Sequence, residues 1–109
     1  MSREFIYVLK LAKKSSEEFS SAEEAIMEEH FDRLKKALAE RKLVFAGPCE
    51  DRAFGIVVFR ANSKEEAENF MRNDPAVKQG AMTAELHPFH VSLAEKRRSE
   101  KPHERNLGK

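Results

Sequence analysis

The sequence predicts an α+β fold with the element order β-α-β-β-α-β. Two observations lead to this prediction. Four segments are rich in aromatic and β-branched residues and end at turn-forming residues, as strands do. Between them lie two segments whose apolar residues recur at the spacing of a helix. This order is typical of the ferredoxin-like split βαβ arrangement, in which two helices cover one face of a four-stranded antiparallel sheet.

The size and composition of the chain fit one small domain. Its 109 residues suffice for a single core, and 36% of them are charged while 40% are apolar. The net charge of +1 argues against general nucleic-acid binding. No apolar run approaches the ~18 residues of a membrane span. Cys49 is the single cysteine, so no internal disulfide forms, and we expect a cytoplasmic protein because the N-terminus leads directly into a strand.

The first strand and the first helix open the chain. The aromatic and β-branched run Phe5–Leu9 predicts a strand. After a polar stretch, Ser21 is a candidate N-cap, with Glu24 three residues later in the pattern of a capping box. The apolar spacing that follows predicts a helix that ends near Arg41.

The middle of the chain predicts a hairpin. Leu43–Ala46 forms the second strand, which Gly47-Pro48 ends. A short polar link leads into the third strand, Phe54–Phe59. Because the link is short, the two strands should pair in an antiparallel manner.

The last third predicts a helix, a short turn and a strand. Ser63 is a candidate N-cap, with Glu66 at the capping-box position. Asp74-Pro75 has the pattern of a second N-cap followed by proline at the first helical position. Met82–Val91 alternates loosely and predicts the last strand. We therefore expect a domain over residues 1–93 and a basic, flexible tail over 94–109.

The strands predict a second apolar sheet face. A sheet covered by helices on one face should alternate apolar and polar residues. In the first strand Phe5, Tyr7 and Leu9 lie on one face, but Ile6 and Val8, on the other, are also apolar. Since two helices cover only one face, we expect a homodimer in which the second faces of two sheets meet.

His30 is the first candidate for a catalytic residue. It lies on the apolar stripe of the first helix, between Met27 and Leu34, and no other ionisable group is placed in this way. Two interpretations stay open. His30 is either a histidine at the edge of the core with one ring nitrogen hydrogen-bonded, or a general base or acid near neutral pH.

Four other residues are candidates for a site around it. Asp74 would cap the turn after the second helix, and an aspartate can cap and orient a histidine at the same time. Gly47 and Pro48 form a plain turn or let a ligand approach the backbone closely. Tyr7 packs in the core or presents its hydroxyl to a pocket. Arg33, one turn from His30, is expected on the solvated side of the helix.

Other sites are not indicated by the sequence. His87 and His90 are three apart on a predicted strand and so point to opposite faces. Cys49 lacks a basic cluster that would activate its thiol. The sequence contains neither a glycine-rich phosphate loop nor a nucleophile elbow. We expect no metal, no cofactor and no nucleic-acid partner.

Several linked segments span about residues 4–92, and the most specific of them is the Asp-Pro segment that ends in glycine. They are Glu29–Leu34, Leu43–Pro48, Gly55–Phe59, the helix that Ser63 opens, Asn73–Gly80 and Leu86–Phe89. Together, and at this spacing, they resemble the YciI-like family.

The resemblance implies a dimeric α+β barrel and a site with a histidine and an aspartate, which match His30 and Asp74. The wider superfamily includes muconolactone isomerase-like enzymes and a dehydrochlorinase of chlorinated hydroxyquinols. We therefore expect a cofactor-free isomerase or lyase that transfers a proton on a small cyclic or aromatic-derived substrate, with Tyr7, Gly47 and Pro48 as substrate contacts. Two alternatives stay open: a non-catalytic protein that binds a small ligand, and a dimeric, stress-related protein without one.

Overall fold

The computed structural model describes residues 3–12 and 20–95. Within them, four strands and three helices follow one another. They are β1 (Arg3–Leu11), α1 (Ser21–Ala39), β2 (Leu43–Pro48), β3 (Gly55–Ala61), α2 (Lys64–Arg72), α3 (Pro75–Lys78) and β4 (Met82–Phe89). The predicted α+β order is confirmed, with α3 as a one-turn addition. Residues 96–109, which make up most of the predicted tail, lie outside the described residues, so the boundary at 93 stays a prediction.

The four strands form one antiparallel sheet in the order β2-β3-β1-β4. In the central strand β1, Tyr7 lies opposite Val57 of β3 and Leu86 of β4, so these residues share one face. That face packs against α1 and α2 in the hydrophobic core, to which Leu34 and Phe70 contribute from the helices. No described helix is long and apolar enough to cross a membrane.

Helix α1 begins one residue earlier than predicted, so the assignment of Ser21 as N-cap was wrong. Ser20 is the N-cap: its hydroxyl accepts from the Glu23 N–H at 3.2 Å, and the Glu23 carboxylate accepts from the Ser20 N–H at 2.8 Å. The sequence offers the same Ser-x-x-Glu pattern at both serines. When the helix begins after Ser20, the Glu24 N–H also donates to the Ser20 carbonyl at 2.9 Å, in addition to the two capping hydrogen bonds.

The other two predicted caps are present. The Ser63 hydroxyl accepts from the Glu66 N–H at 3.1 Å, although the Glu66 side chain accepts from Asn62 rather than from Ser63. Asp74 caps α3, and Pro75 occupies the first helical position. Serine and aspartate are thus used where they satisfy helix N–H groups that have no partner within the helix.

Strand β2 was expected to end at Ala46, before Gly47-Pro48, but in the structure it continues through both residues. Gly47 pairs with Ile56 and Pro48 with Gly55, so the strand continues to Pro48. Proline is tolerated here because β2 is an edge strand, where one side of the backbone has no ladder partner.

The second face of the sheet is apolar around Ile6 and Val8, as the alternation predicted for the first strand, but it also carries charged and polar residues towards β4 and the strand ends. These are Glu4, Lys10, Arg60, Glu85 and His87. Ile6, Val8 and Ile56 on this face are half-buried, while Val58 is fully buried. A register shift between Leu43 and Phe45 turns Phe45 to the same face, where it is 48% exposed. We call this surface the outer face, and its members do not belong to the core that the described helices form.

Candidate active site

His30 is buried on the side of α1 that faces the sheet. Its side chain follows the helix period with Leu34 and Ala37, four and seven residues further on, and all three are buried. His30 is only 6% exposed, so its ring needs hydrogen-bonding partners inside the protein.

Asp74 supplies the partner from the junction of α2 and α3. Its side chain is completely buried, and its Oδ1 and Oδ2 lie 2.7 and 2.9 Å from Nδ1 of His30. The Ala76 N–H donates to Oδ1 at 2.9 Å, so Asp74 caps α3 and contacts the histidine at the same time. Helix α3 packs against α1, and this packing brings the two residues together.

Tyr7 donates its hydroxyl to the same carboxylate. The Tyr7 hydroxyl lies 2.5 Å from Oδ2 of Asp74, and the tyrosine is completely buried. Its ring makes edge contacts with Phe59 and Phe70, at centroid distances of 5.6 and 6.3 Å. Tyr7 therefore lies behind Asp74, and its expected contact with a substrate stays a prediction.

These hydrogen bonds determine the charge of the site. Burial alone would raise the pKa of Asp74, but hydrogen bonds from His30 and Tyr7, the attraction of His30 and the Ala76 N–H outweigh it and hold this pKa below its usual value. The pKa of Tyr7 is raised by burial and by the adjacent carboxylate, and Arg33 opposes this only in part. Asp74 is therefore an anion and Tyr7 a neutral donor at physiological pH.

An ionised Asp74 fixes the tautomer of His30. A carboxylate only accepts hydrogen bonds, so Nδ1 of the imidazole must carry its proton toward Asp74. In the neutral ring the lone pair is then on Nε2. No described residue donates a hydrogen bond to this nitrogen. The same logic orients the histidine in serine hydrolases, where an aspartate leaves the other nitrogen free to accept a proton.

His30 lines a cavity of about 350 Å³ at one end of the sheet. The cavity lies between α1, the ends of β1 and β2, and the beginnings of β3 and β4. Most of its described wall is apolar, and His30 and Arg52 are the only ionisable residues there. The apolar wall includes Leu9, Met27, Phe31, Leu34, Phe54 and Met82.

Gly47 and Pro48, expected either to form a plain turn or to let a ligand approach the backbone, also line this cavity. Gly47 pairs with Ile56 and thus shares the outer face, where an added Cβ would meet nothing within 4 Å. Gly47 therefore contributes backbone to the wall, and its conformation does not demand glycine. Whether a substrate contacts either residue stays a prediction.

Arg33 was expected on the solvated flank of α1, but it is half-buried, and part of its guanidinium is shielded from solvent. Its guanidinium lies 4.2 Å from the ring centroid of Phe70, and its Nη1 is buried without a hydrogen-bond partner among the described residues. The aromatic ring compensates partly for the lost hydration of the cation. The sequence did contain a sign of this position. Arg33 is three residues after His30, and residues three apart in a helix lie near the same face.

Arg52 was also missed, since it falls in a polar link that resembles any surface turn.

No group of three or more His, Cys, Asp or Glu side chains among residues 3–12 and 20–95 could hold a metal ion. The structure therefore brings together three residues linked by hydrogen bonds. Tyr7 donates to Asp74, Asp74 contacts His30, and the apolar cavity lies on the far side of His30.

Comparison with known proteins gives a family and a structural relative. The family model of the YCII-related domain matches residues 5–90. Among solved structures, the chain is similar to 5-chloro-2-hydroxyhydroquinone dehydrochlorinase from Burkholderia phenoliruptrix AC1100, in complex with 2,5-dihydroxybenzoquinone. The TM-score is 0.53 and the identity 15%, over 79% of this chain and 93% of that chain. At this identity the likeness concerns the fold. No curated protein matches the chain.

Proposed function

Because the chain belongs to the YCII-related domain family, we propose that it is a cofactor-free enzyme in which His30 and Asp74 transfer a proton on a small cyclic or aromatic-derived substrate. The observation that carries this proposal is the 2.7 Å contact between Nδ1 of His30 and Oδ1 of Asp74, made by a histidine that also lines a cavity. An orienting carboxylate behind a histidine and a cavity in front of it are what general acid–base catalysis needs.

The chemistry begins at Nε2. This nitrogen takes a proton from a carbon acid of the substrate, and Asp74 stabilises the imidazolium that forms. The electron pair of the broken C–H bond moves into the substrate. If the imidazolium returns the proton to another substrate atom, the reaction is an isomerisation. If a leaving group departs with the bonding electrons instead, the reaction is an elimination, and the imidazolium gives its proton to the leaving group or to water.

The cavity wall supports proton transfer rather than covalent catalysis. None of its described residues is a serine, threonine, cysteine or lysine, the usual nucleophiles. Ligand pockets commonly have volumes of about 300–1,000 Å³, and this cavity is near the lower end, which suits a single-ring compound. The dehydrochlorinase to which the fold is similar acts, by its name, on a compound of that size.

Hydrogen–deuterium exchange tests the proposal. A panel of cyclic enones, lactones and hydroxyquinols, beginning with 5-chloro-2-hydroxyhydroquinone, is incubated in D₂O and followed by ¹H NMR. We expect the wild type to exchange a carbon-bound proton or to eliminate chloride, and His30→Gln to be about 10²–10⁴-fold slower. His90→Gln, which alters an exposed histidine, is the control.

Two results would contradict the proposal: no exchange or elimination by the wild type with any member of the panel, or equal rates for wild type and His30→Gln. Binding of a panel member without turnover favours the second candidate, a non-catalytic protein that binds a small ligand. The observation behind that candidate is the apolar cavity itself, which does not require that His30 react.

We also propose that the protein is a homodimer joined through the outer faces of two sheets. Ile6, Val8, Ile56 and Phe45 keep apolar surface accessible on this face of a single chain. Burial of apolar surface stabilises association by about 25 cal/mol per Å². A second copy of the same face would supply an apolar partner of matching size.

The cytoplasm is the location that we propose. Cys49 is a free, half-buried thiol, and the described residues contain no disulfide. A thiol of this kind is compatible with a reducing compartment.

A further inference from the structure

Arg52 lies in the turn between β2 and β3, which its own hydrogen bonds hold in shape. The Cys49 N–H donates to the Phe54 carbonyl at 2.7 Å, and the Arg52 N–H donates to the Cys49 carbonyl at 2.9 Å. The Asp51 carboxylate accepts from the Ala53 N–H at 3.0 Å. The backbone that carries the Arg52 side chain is therefore fixed, although the turn is at the surface.

The backbone of Arg52 is in the left-handed region, with a φ of 67°. Residues with a Cβ rarely adopt this conformation, and glycine or asparagine would adopt it at lower cost. Arg41 has a similar φ of 65°, so the backbone conformation alone assigns no use to the Arg52 side chain; its place on the cavity wall distinguishes Arg52.

Arg52 is the only lysine or arginine among the described residues that line the cavity. No described acidic group forms a salt bridge with it, and the nearest carboxylate in sequence, Asp51, caps the turn instead. The remaining wall is apolar except for His30. Arg52 is exposed and lines the cavity, so a ligand in the cavity that carries its own negative charge can reach the guanidinium.

We propose that Arg52 makes the cavity selective for ring compounds that carry an anionic oxygen, such as a carboxylate, a phenolate or an enolate. The guanidinium forms charge-assisted hydrogen bonds to that oxygen, and its planar fork matches a carboxylate in two parallel bonds. The apolar wall holds the ring. This inference rests on the proposed function only for the statement that the bound compound is the substrate of His30.

When the anionic oxygen is conjugated with the carbon that loses its proton, Arg52 has a second effect. The electron pair released by the C–H bond spreads onto that oxygen, and the guanidinium stabilises the added charge. Arg52 is thus a residue that determines specificity and, for such substrates, also contributes to the rate.

The test compares benzoate with benzamide, its neutral analogue of nearly the same shape. Both are titrated into ¹⁵N-labelled wild type, Arg52→Gln and Arg41→Gln, and the shifts of the Leu34 and Gly47 amides report binding in the cavity. Arg41 is a matched control because it also has a left-handed backbone, with a φ of 65°, but does not line the cavity.

We expect the wild type and Arg41→Gln to bind benzoate about 10-fold or more tightly than benzamide, and Arg52→Gln to bind the two about equally. Absence of a preference for benzoate in the wild type would overturn the inference. A preference that persists in Arg52→Gln would overturn it as well.

The same titration with His30→Gln separates this inference from the proposed function. If this variant keeps the preference for benzoate while the wild type shows no exchange or elimination in D₂O, the proposed function fails and the role of Arg52 stands. If the wild type turns over substrate but Arg52→Gln keeps the preference, only the role of Arg52 fails.

Discussion

Nδ1 of His30 lies 2.7 Å from Oδ1 of Asp74, across 44 positions of sequence. The other carboxylate oxygen accepts the Tyr7 hydroxyl, and Oδ1 also accepts the Ala76 N–H. Groups from α1, β1 and α3 thus hold one buried carboxylate in place. Because both oxygens are engaged, Asp74 has little freedom to rotate, and the imidazole is held in one orientation.

Asp74→Asn should slow the reaction without closing the cavity. The asparagine amide is a donor on one side, so Nδ1 of His30 would accept from it and Nε2 would carry the proton. A protonated Nε2 cannot act as a base. We expect a rate about 10²–10⁴-fold lower in D₂O exchange, with panel compounds still bound. Asp32→Asn, an exposed position on α1, serves as the control and should keep the wild-type rate.

Tyr7→Phe should destabilise the fold. The phenylalanine keeps the edge contact with Phe59, but the carboxylate of Asp74 loses a buried donor. We expect the free energy of unfolding, measured by urea titration, to fall by about 2 kcal/mol. Unchanged stability would contradict a stabilising role for this buried hydrogen bond.

The stability that Asp74 contributes should depend on pH in the acid range. Its pKa in the folded protein is below the ordinary value of 3.8, so this contribution is fully present above that value and is lost as the pH falls through the folded-state pKa. The difference in unfolding free energy between wild type and Asp74→Asn should therefore be largest near pH 6 and shrink below about pH 4. Urea titrations at a series of pH values measure it, and a constant difference over this range would contradict the account.

The sequence was informative where the structure depends on local pattern. Strand and helix positions followed from the spacing of apolar residues, and Ser63 and Asp74 were recognisable as caps. The helix start was misplaced by one residue because Ser20 and Ser21 carry the same signal. These features depend on neighbours a few residues away.

The site was predictable only in part, because its contacts depend on tertiary packing. His30 stood out on its own helix, but its link to Asp74 came from family resemblance. The bond from Tyr7 to Asp74 spans 67 positions and requires both the strand register and the placement of α3. Likewise, Arg52 looks like any turn residue until its left-handed backbone and its place on the cavity wall are seen.

The proposed dimer predicts that a charge on the outer face separates the protomers. Val8→Lys places an ammonium group at the centre of this face, where its burial against a second copy would be costly. We expect sedimentation velocity at micromolar concentration to show a dimer for the wild type and a folded monomer for Val8→Lys. Leu38→Lys changes a residue of α1 that is 52% exposed and should leave the dimer intact. A wild-type monomer under these conditions would contradict the proposal.

The most direct test of the central claim is the tautomer of His30, measured by ¹⁵N NMR of the imidazole at a pH where the ring is neutral. The account predicts a protonated Nδ1 and an unprotonated Nε2 in the wild type, because Asp74 accepts the Nδ1 proton. In Asp74→Asn the two nitrogens should exchange these roles. A wild-type ring with its proton on Nε2 would contradict the account, since the nitrogen that we assign as the base would then have no lone pair to accept a proton.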